Sequence, residues 1–192
     1  MDDILNIIKE RISILAQASV ENIEILERDL LKFIKKLDEE PGEEIWLRAI
    51  VRTYVSLIEA YLYGMKQQAL LLSQSGKAII RLDAKEEHEL NINRDNMKEN
   101  FKIAFKYLAK VWGFEYEMDL NKDLGWQKYC EMKNIRDRLT HPKKNGDLRI
   151  TRQNHGDVVA AALWYRKQAE LFDKETEKRM RKMKKKNEGV NN

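Results

Sequence analysis

The sequence predicts an all-α fold, an antiparallel bundle of four to five helices, and three observations carry that prediction. Only 8 Gly and 2 Pro interrupt 192 residues, of which 35% are charged and 43% hydrophobic. Such a breaker-poor, charge-rich chain suits long amphipathic helices better than a sheet with many turns. Apolar residues recur at intervals of three and four through most of the chain, and no segment sustains the period-two alternation of a half-buried strand. A chain of this length forms one domain more comfortably than two. Residues 1–173 are therefore expected to form one helical domain, followed by a basic tail over 174–192.

The first helix is expected from Asp3 to about Leu37. Ile4, Ile8, Ile12 and Leu15, then Ile23, Leu26, Leu30, Ile34 and Leu37, make one stripe, weakest between Gln17 and Asn22, where a break is easiest. Pro41-Gly42 ends it. The second helix runs from about Glu43 to Ser73 on a face of Leu47, Ile50, Tyr54, Leu57, Ile58, Tyr61, Met65, Ala69 and Leu72. Gln74 to Asn93 is polar and reads as a connector with one short helical turn. The third helix spans about Arg94 to Trp112, with Met97, Phe101, Ala104, Phe105, Leu108 and Trp112 on one side and Gly113 as its stop.

After a variable stretch, a fourth helix covers Trp126 to about Leu139. Pro142 disfavours α conformation at His141, so this helix ends near Thr140 and leaves His141 at its mouth. A last helix begins between Thr151 and Asp157, carries Val158, Ala162, Tyr165, Ala169 and Phe172 inward, and runs into the basic tail. Between Lys174 and Lys186 eight Lys or Arg face two Glu, so the excess behind the net charge of +4 lies in that tail and the body is near neutral. A run of this kind is a solvated helix end or an electrostatic hold on RNA or another anionic surface.

Several function classes are disfavoured. Cys130 has no partner for an internal disulfide, and no cysteine pair offers a metal knuckle. The acidic start Met1-Asp2-Asp3 is unlike a signal peptide, and the apolar runs are far shorter than a membrane span. The expectation is a cytoplasmic protein without a membrane partner. Phosphate-cradling Gly-rich loops, nucleophile elbows and paired metal-binding histidines are absent, since His88, His141 and His155 are far apart in sequence. No cofactor or metal is expected, and Cys130, on an apolar helix face, reads as core.

The concentrated chemistry lies in Arg136-Asp137-Arg138-Leu139-Thr140-His141-Pro142, flanked by Lys133, Lys143 and Lys144. Histidine moves protons near neutral pH, and arginine grips a phosphate with two prongs. An Arg near a helix end with a His in the following turn can converge on one anionic group. Arg and Lys in a last helical turn are also ordinary complements to the helix dipole.

This stretch resembles the motif of the HEPN family of helical domains, in which an Arg and a polar residue precede a His by a few positions. Arg136 matches the motif Arg, Asp137 the polar follower and His141 the motif His. The stretch from Arg52 to Tyr63 resembles the family's long second helix, which often brings an acidic residue, here Glu59, toward the motif. The final helix resembles the closing one, and the HEPN-like core covers about 43–172.

The resemblance implies a homodimer whose two motifs face one another in a composite cleft. It also implies a metal-independent endoribonuclease of toxin or phage-defence type, with RNA as substrate and an antitoxin or regulatory protein as a further partner. Arg136 and His141 would be catalytic: His141 as general base or acid, Arg136 stabilising charge on the phosphate. Asp137 and Glu59 would orient them, and Arg138, Thr140, Lys143 and Lys144 would support the site or steer the strand. Where the family often has Asn, Asp137 adds a negative charge. Lys143 stands where one toxin subgroup carries a Tyr modified by a partner nucleotidyltransferase. Two other readings remain open: a non-catalytic HEPN-like module that binds RNA or nucleotide, and a helical adaptor or dimerisation protein in which the motif is only a helix end.

Overall fold

The computed structural model describes residues 2–92, 97–116, 118, 120 and 123–189, with side chains described from residue 20 onward except at 152, 180 and 183–189. Six helices follow one another: α1 Asp2–Glu39, α2 Glu44–Gln74, α3 Ala84–Asn91, α4 Met97–Val111, α5 Leu124–Thr140 and α6 Arg152–Gly189. Among the described residues there is no strand, and no helix is long and apolar enough to cross a membrane.

The chain divides into two compact units assembled from discontinuous segments. The first comprises Met1–Ile12, Leu62–Met118 and Lys167–Asn192; the second comprises Ser13–Tyr61 and Asp119–Arg166. The motif belongs wholly to the second.

In the second unit α1 runs without interruption through the stretch where a break was easiest. Its inward stripe holds from Ile23 onward, where Ile23, Leu26, Leu30, Phe33 and Leu37 pack with Ile50, Tyr54, Leu57 and Tyr61 of α2. The expected positions Ile4, Ile8, Ile12 and Leu15 lie outside the described side chains. Ile34 is exposed, and Phe33 takes its place by stacking on Trp46 at 6.3 Å. Val51 and Val55, outside the expected face, are buried as deeply as Ile58 within it, because α2 is covered on more than one side and a single stripe underestimates its core.

Asp123 caps α5, accepting from the Gly125 and Trp126 amides at 2.7 and 3.3 Å through Oδ1. Its Oδ2 accepts from the Trp164 indole at 3.0 Å. The cap is thereby tied to α6, and Trp126 meets Trp164 edge-on at 5.8 Å. Met132, Ile135 and Leu139 continue the buried face of α5 to its end. They hold its axis while the residues between them reach the surface.

In the first unit Phe105 of α4 stacks on Phe101 at 4.9 Å and on Tyr116 at 5.5 Å, and Phe172 of α6 meets it edge-on at 5.3 Å. The connector between α2 and α4 contains a real helix. Asp83 accepts from the amides of Lys85 and Glu86 at 2.9 Å, and the Glu86 carboxylate returns to the Asp83 amide at 3.0 Å. This is a reciprocal capping box, and it accounts for six helices rather than four to five. Only Leu90 of α3 is buried, so its apolar periodicity is too weak to announce it. Gly113 stops α4 with φ +73°. The expected start of that helix at Arg94 lies outside the described residues. Where a basic tail was expected, α6 continues as helix to Gly189.

Candidate functional site at the end of helix 5

The site is built on the last two turns of α5 and one face of α2. Arg52 and Glu59 stand seven residues apart on α2, two turns of one face. Arg52 donates through Nη2 to the Leu139 carbonyl, satisfying an acceptor that the helix end leaves without an intrahelical partner. Two turns further along α2, Glu59 pairs with the Arg136 guanidinium through Nη2.

The other terminal nitrogen of Arg136, Nη1, lies 3.1 Å from Asp137 Oδ1, and Asp137 Oδ2 lies 2.6 Å from Lys133 Nζ. Lys133, Asp137, Arg136 and Glu59 thus form a chain of alternating charge that sums to zero. The two carboxylates expected to orient the motif both act on Arg136. The Arg136 Nε–H is buried and has no acceptor among the described residues. Burial pushes the Glu59 carboxyl above its ordinary value; Arg136 and Lys133 pull it back and Asp137 adds to the rise.

His141 closes α5. Its amide donates to the Asp137 carbonyl at 2.9 Å, and its backbone leaves the helix at φ −128° and ψ 66°, as the following Pro142 demands. The imidazole is exposed. Thr140, also exposed, turns its hydroxyl back to the Arg136 carbonyl at 2.8 Å, so it serves its own helix.

Beyond His141 the loop is tightly held, which the sequence did not announce. Asp147 is buried and its Oδ2 accepts from the Lys143 and Lys144 amides at 2.7 and 2.9 Å. Those two donors hold its carboxyl below the usual range. Arg138 Nη1 donates to the carbonyls of Asp147 and Arg149, each at 2.8 Å. Its guanidinium therefore organises the loop backbone rather than facing a ligand. Arg48 of α2 adds a contact to the Leu148 carbonyl at 3.2 Å. The side chains of Lys143 and Lys144 remain exposed.

The geometry thus brings Glu59, Asp137 and Arg136 together and sets His141, Lys143 and Lys144 on the adjoining rigid turn. Sequence reasoning missed Arg52 and Asp147 as parts of this arrangement. A seven-residue spacing from Glu59 on α2, and an Asp closing a short Gly-containing loop, were the available signals. Cys130 is half-buried on α5. Among the described residues no group of three metal-ligating side chains is found. The class defined is a helical bundle bearing an exposed histidine and an ion-paired arginine at one helix end. No family model matches the chain, and no curated protein or solved structure matches it either.

Proposed function

We propose that this chain is a metal-independent endoribonuclease of the toxin or phage-defence type. On this reading the 2′-oxygen of an RNA ribose attacks the adjacent phosphorus and the bond from phosphorus to the 5′-oxygen breaks. The 2′-hydroxyl proton goes to a basic group and the departing 5′-oxygen receives one, leaving a 2′,3′-cyclic phosphate and a 5′-hydroxyl. His141 supplies one of these proton transfers. In a homodimer the second copy's histidine supplies the other. Arg136 meets the charge that grows on the phosphate oxygens, and Lys143 and Lys144 draw the strand toward the turn.

The observation that carries this reading is the pairing of Glu59 with Arg136, 77 residues apart in sequence, beside an exposed His141. A guanidinium held by two carboxylates is oriented before any substrate arrives, which lowers the reorganisation needed during reaction. Its buried, unsatisfied Nε–H is the kind of local polar imperfection that a purely structural arginine would ordinarily avoid.

The test is incubation of end-labelled mixed RNA with the purified protein, His141→Ala and Arg136→Lys, all in EDTA. Cleavage by the unmodified protein leaving cyclic phosphate ends, with at least about a hundredfold loss in His141→Ala, is expected. Equal behaviour of folded wild type and His141→Ala sinks the proposal. One observation favours a second reading, a non-catalytic RNA-binding or nucleotide-binding module: Asp137 neutralises charge at the point where a phosphate would sit. Binding without turnover by the wild-type protein is the outcome that selects it.

A further inference from the structure

The first unit contains an open cavity of about 990 Å³ that has no part in the site above. Its apolar lining is Ile80, Phe114 and Met118, with Tyr116 beside them. These walls are fixed rather than loose. The Ile79 amide donates to the Val111 carbonyl at 2.7 Å, and the Phe114 amide donates to the Ala109 carbonyl at 3.1 Å. Gly113 lets the backbone turn there at φ +73°, where a Cβ would approach Ile79 Cγ2 to 2.8 Å. Tyr116 is anchored through its hydroxyl to the Gln168 carbonyl at 3.2 Å and through its ring to Phe105. Ile80 nevertheless remains 45% exposed, an apolar side chain held open at the edge of a preformed cavity.

The charged lining is not self-neutralised. Lys110 is paired with Glu86 at 2.5 Å, and Glu175 is shared by Arg179 at 3.3 Å and Lys178 at 3.1 Å. Glu115, exposed, also lines the cavity. Lys102 and Lys106 stand one turn apart on α4. Lys106 lies over the Tyr107 ring at 4.9 Å. Lys102 is half-buried with no ion pair or hydrogen bond among the described residues. A half-buried lysine without an ion partner among the described residues, at the rim of an apolar recess, is complementary to an anion attached to an apolar body.

We propose that this cavity binds a small amphiphilic anion, an aromatic or similarly flat apolar body carrying one phosphate or carboxylate head. The body lies against Ile80, Phe114 and Met118, and the head lies at Lys102 and Lys106. The site is independent of the ribonuclease reading, because none of its residues belongs to the motif.

Isothermal titration of the full chain with 1-naphthyl phosphate, 1-naphthoate, 1-naphthol and inorganic phosphate separates the contributions. The expected result is one-to-one binding of at least one naphthyl anion, with 1-naphthol and phosphate each weaker by about tenfold or more. The tighter of the two anions identifies the head. Lys102→Ala weakens it about tenfold, and Ile80→Ser weakens the anion and 1-naphthol alike. Both substitutions are at accessible side chains, and unchanged melting temperatures verify their folding. Absence of binding by either anion at millimolar concentration overturns the proposal. So does naphthol binding as tightly as the anions, or binding indifferent to Lys102→Ala.

Discussion

Replacing Arg136 and Glu59 singly and together tests the physical account of the motif without any substrate. The side chains are 22% and 40% exposed, intermediate between a buried and a surface pair. Breaking a buried pair costs about 3–5 kcal/mol, and exposed pairs contribute roughly 0–1 kcal/mol. With Glu59 two-fifths exposed, solvent screens the attraction, and a coupling of about 1 kcal/mol is expected from a double-mutant cycle. The single costs are unequal. Arg136→Met keeps helix propensity but leaves Glu59 and Asp137 facing one another with no cation between them. The removal of the unsatisfied Nε–H offsets part of that loss, so a net cost of about 2 kcal/mol is expected. Glu59→Gln removes a charge that burial already disfavours and costs roughly 0.5 kcal/mol or less.

The pH dependence gives the sign. Burial raises the folded-state carboxyl of Glu59 above its ordinary value. Its contribution is therefore fully present below that value and is lost as pH rises through the folded pKa. Wild type should lose ground relative to Glu59→Gln between pH 4 and pH 7. The same comparison in the Arg136→Met background should show a larger loss, since Arg136 no longer pulls the carboxyl down. Urea midpoints of the four proteins at the two pH values provide the measurement. Equal single costs, a coupling below about 0.3 kcal/mol, or a slope of opposite sign refutes the account.

Two other substitutions probe how the site is held. At Gly125 a Cβ would come within 2.0 Å of Trp164 Cδ1 and 2.7 Å of Trp164 Cβ. Gly125→Ala must therefore displace the indole from Asp123 and loosen the cap of α5, at a cost of about 3 kcal/mol measured by thermal unfolding; a change near zero contradicts the packing described. Asp147→Ala should speed amide exchange at Lys143 and Lys144 about tenfold while leaving the core of α5 protected. Because the Asp147 carboxyl is held below its ordinary value, its contribution is present above that range. In wild type those amides should loosen only as pH falls through the folded value.

How far the sequence revealed this arrangement depended on the kind of force involved. Long helices announced themselves through apolar spacing, so α2 and α5 begin and end close to expectation and α4 ends close to it. Pro142 and Gly113 act through backbone sterics that involve only neighbouring residues, and both stops are where they were expected. Helix α3 was legible only as one short helical turn, because a capping box of Asp83 and Glu86, rather than a buried stripe, defines it. The buried positions Val51, Val55 and Met132 depend on how many neighbours cover a helix, which periodicity on one helix does not reveal. At the motif, the order Arg136, Asp137, His141 was visible, and the structure pairs Arg136 with Glu59. That Arg138 would serve the loop, and Arg52 the Leu139 carbonyl, depends on which backbone groups lack partners in the folded chain.

The charge chain from Lys133 to Glu59 constrains how a phosphate could reach Arg136 on the ribonuclease reading. Asp137 lies closer to Lys133, at 2.6 Å, than to Arg136, at 3.1 Å. Its contact with Arg136 is therefore the one an incoming anion can displace at least cost, with Lys133 retaining the carboxylate. Glu59 would meanwhile keep Nη2 in place and prevent the guanidinium from following Asp137. An arginine held by one firm and one exchangeable carboxylate is oriented at rest yet available to a phosphate guided by Lys143 and Lys144. On that logic Asp137→Asn should tighten RNA binding, because it removes a competing charge while retaining a group that can contact Arg136. Lys133→Ala should weaken binding, because it releases Asp137 to compete fully for the guanidinium. Filter-binding measurements with a non-cleavable RNA at fixed salt would read both, and changes in the same direction would show that Asp137 does not act by exchange.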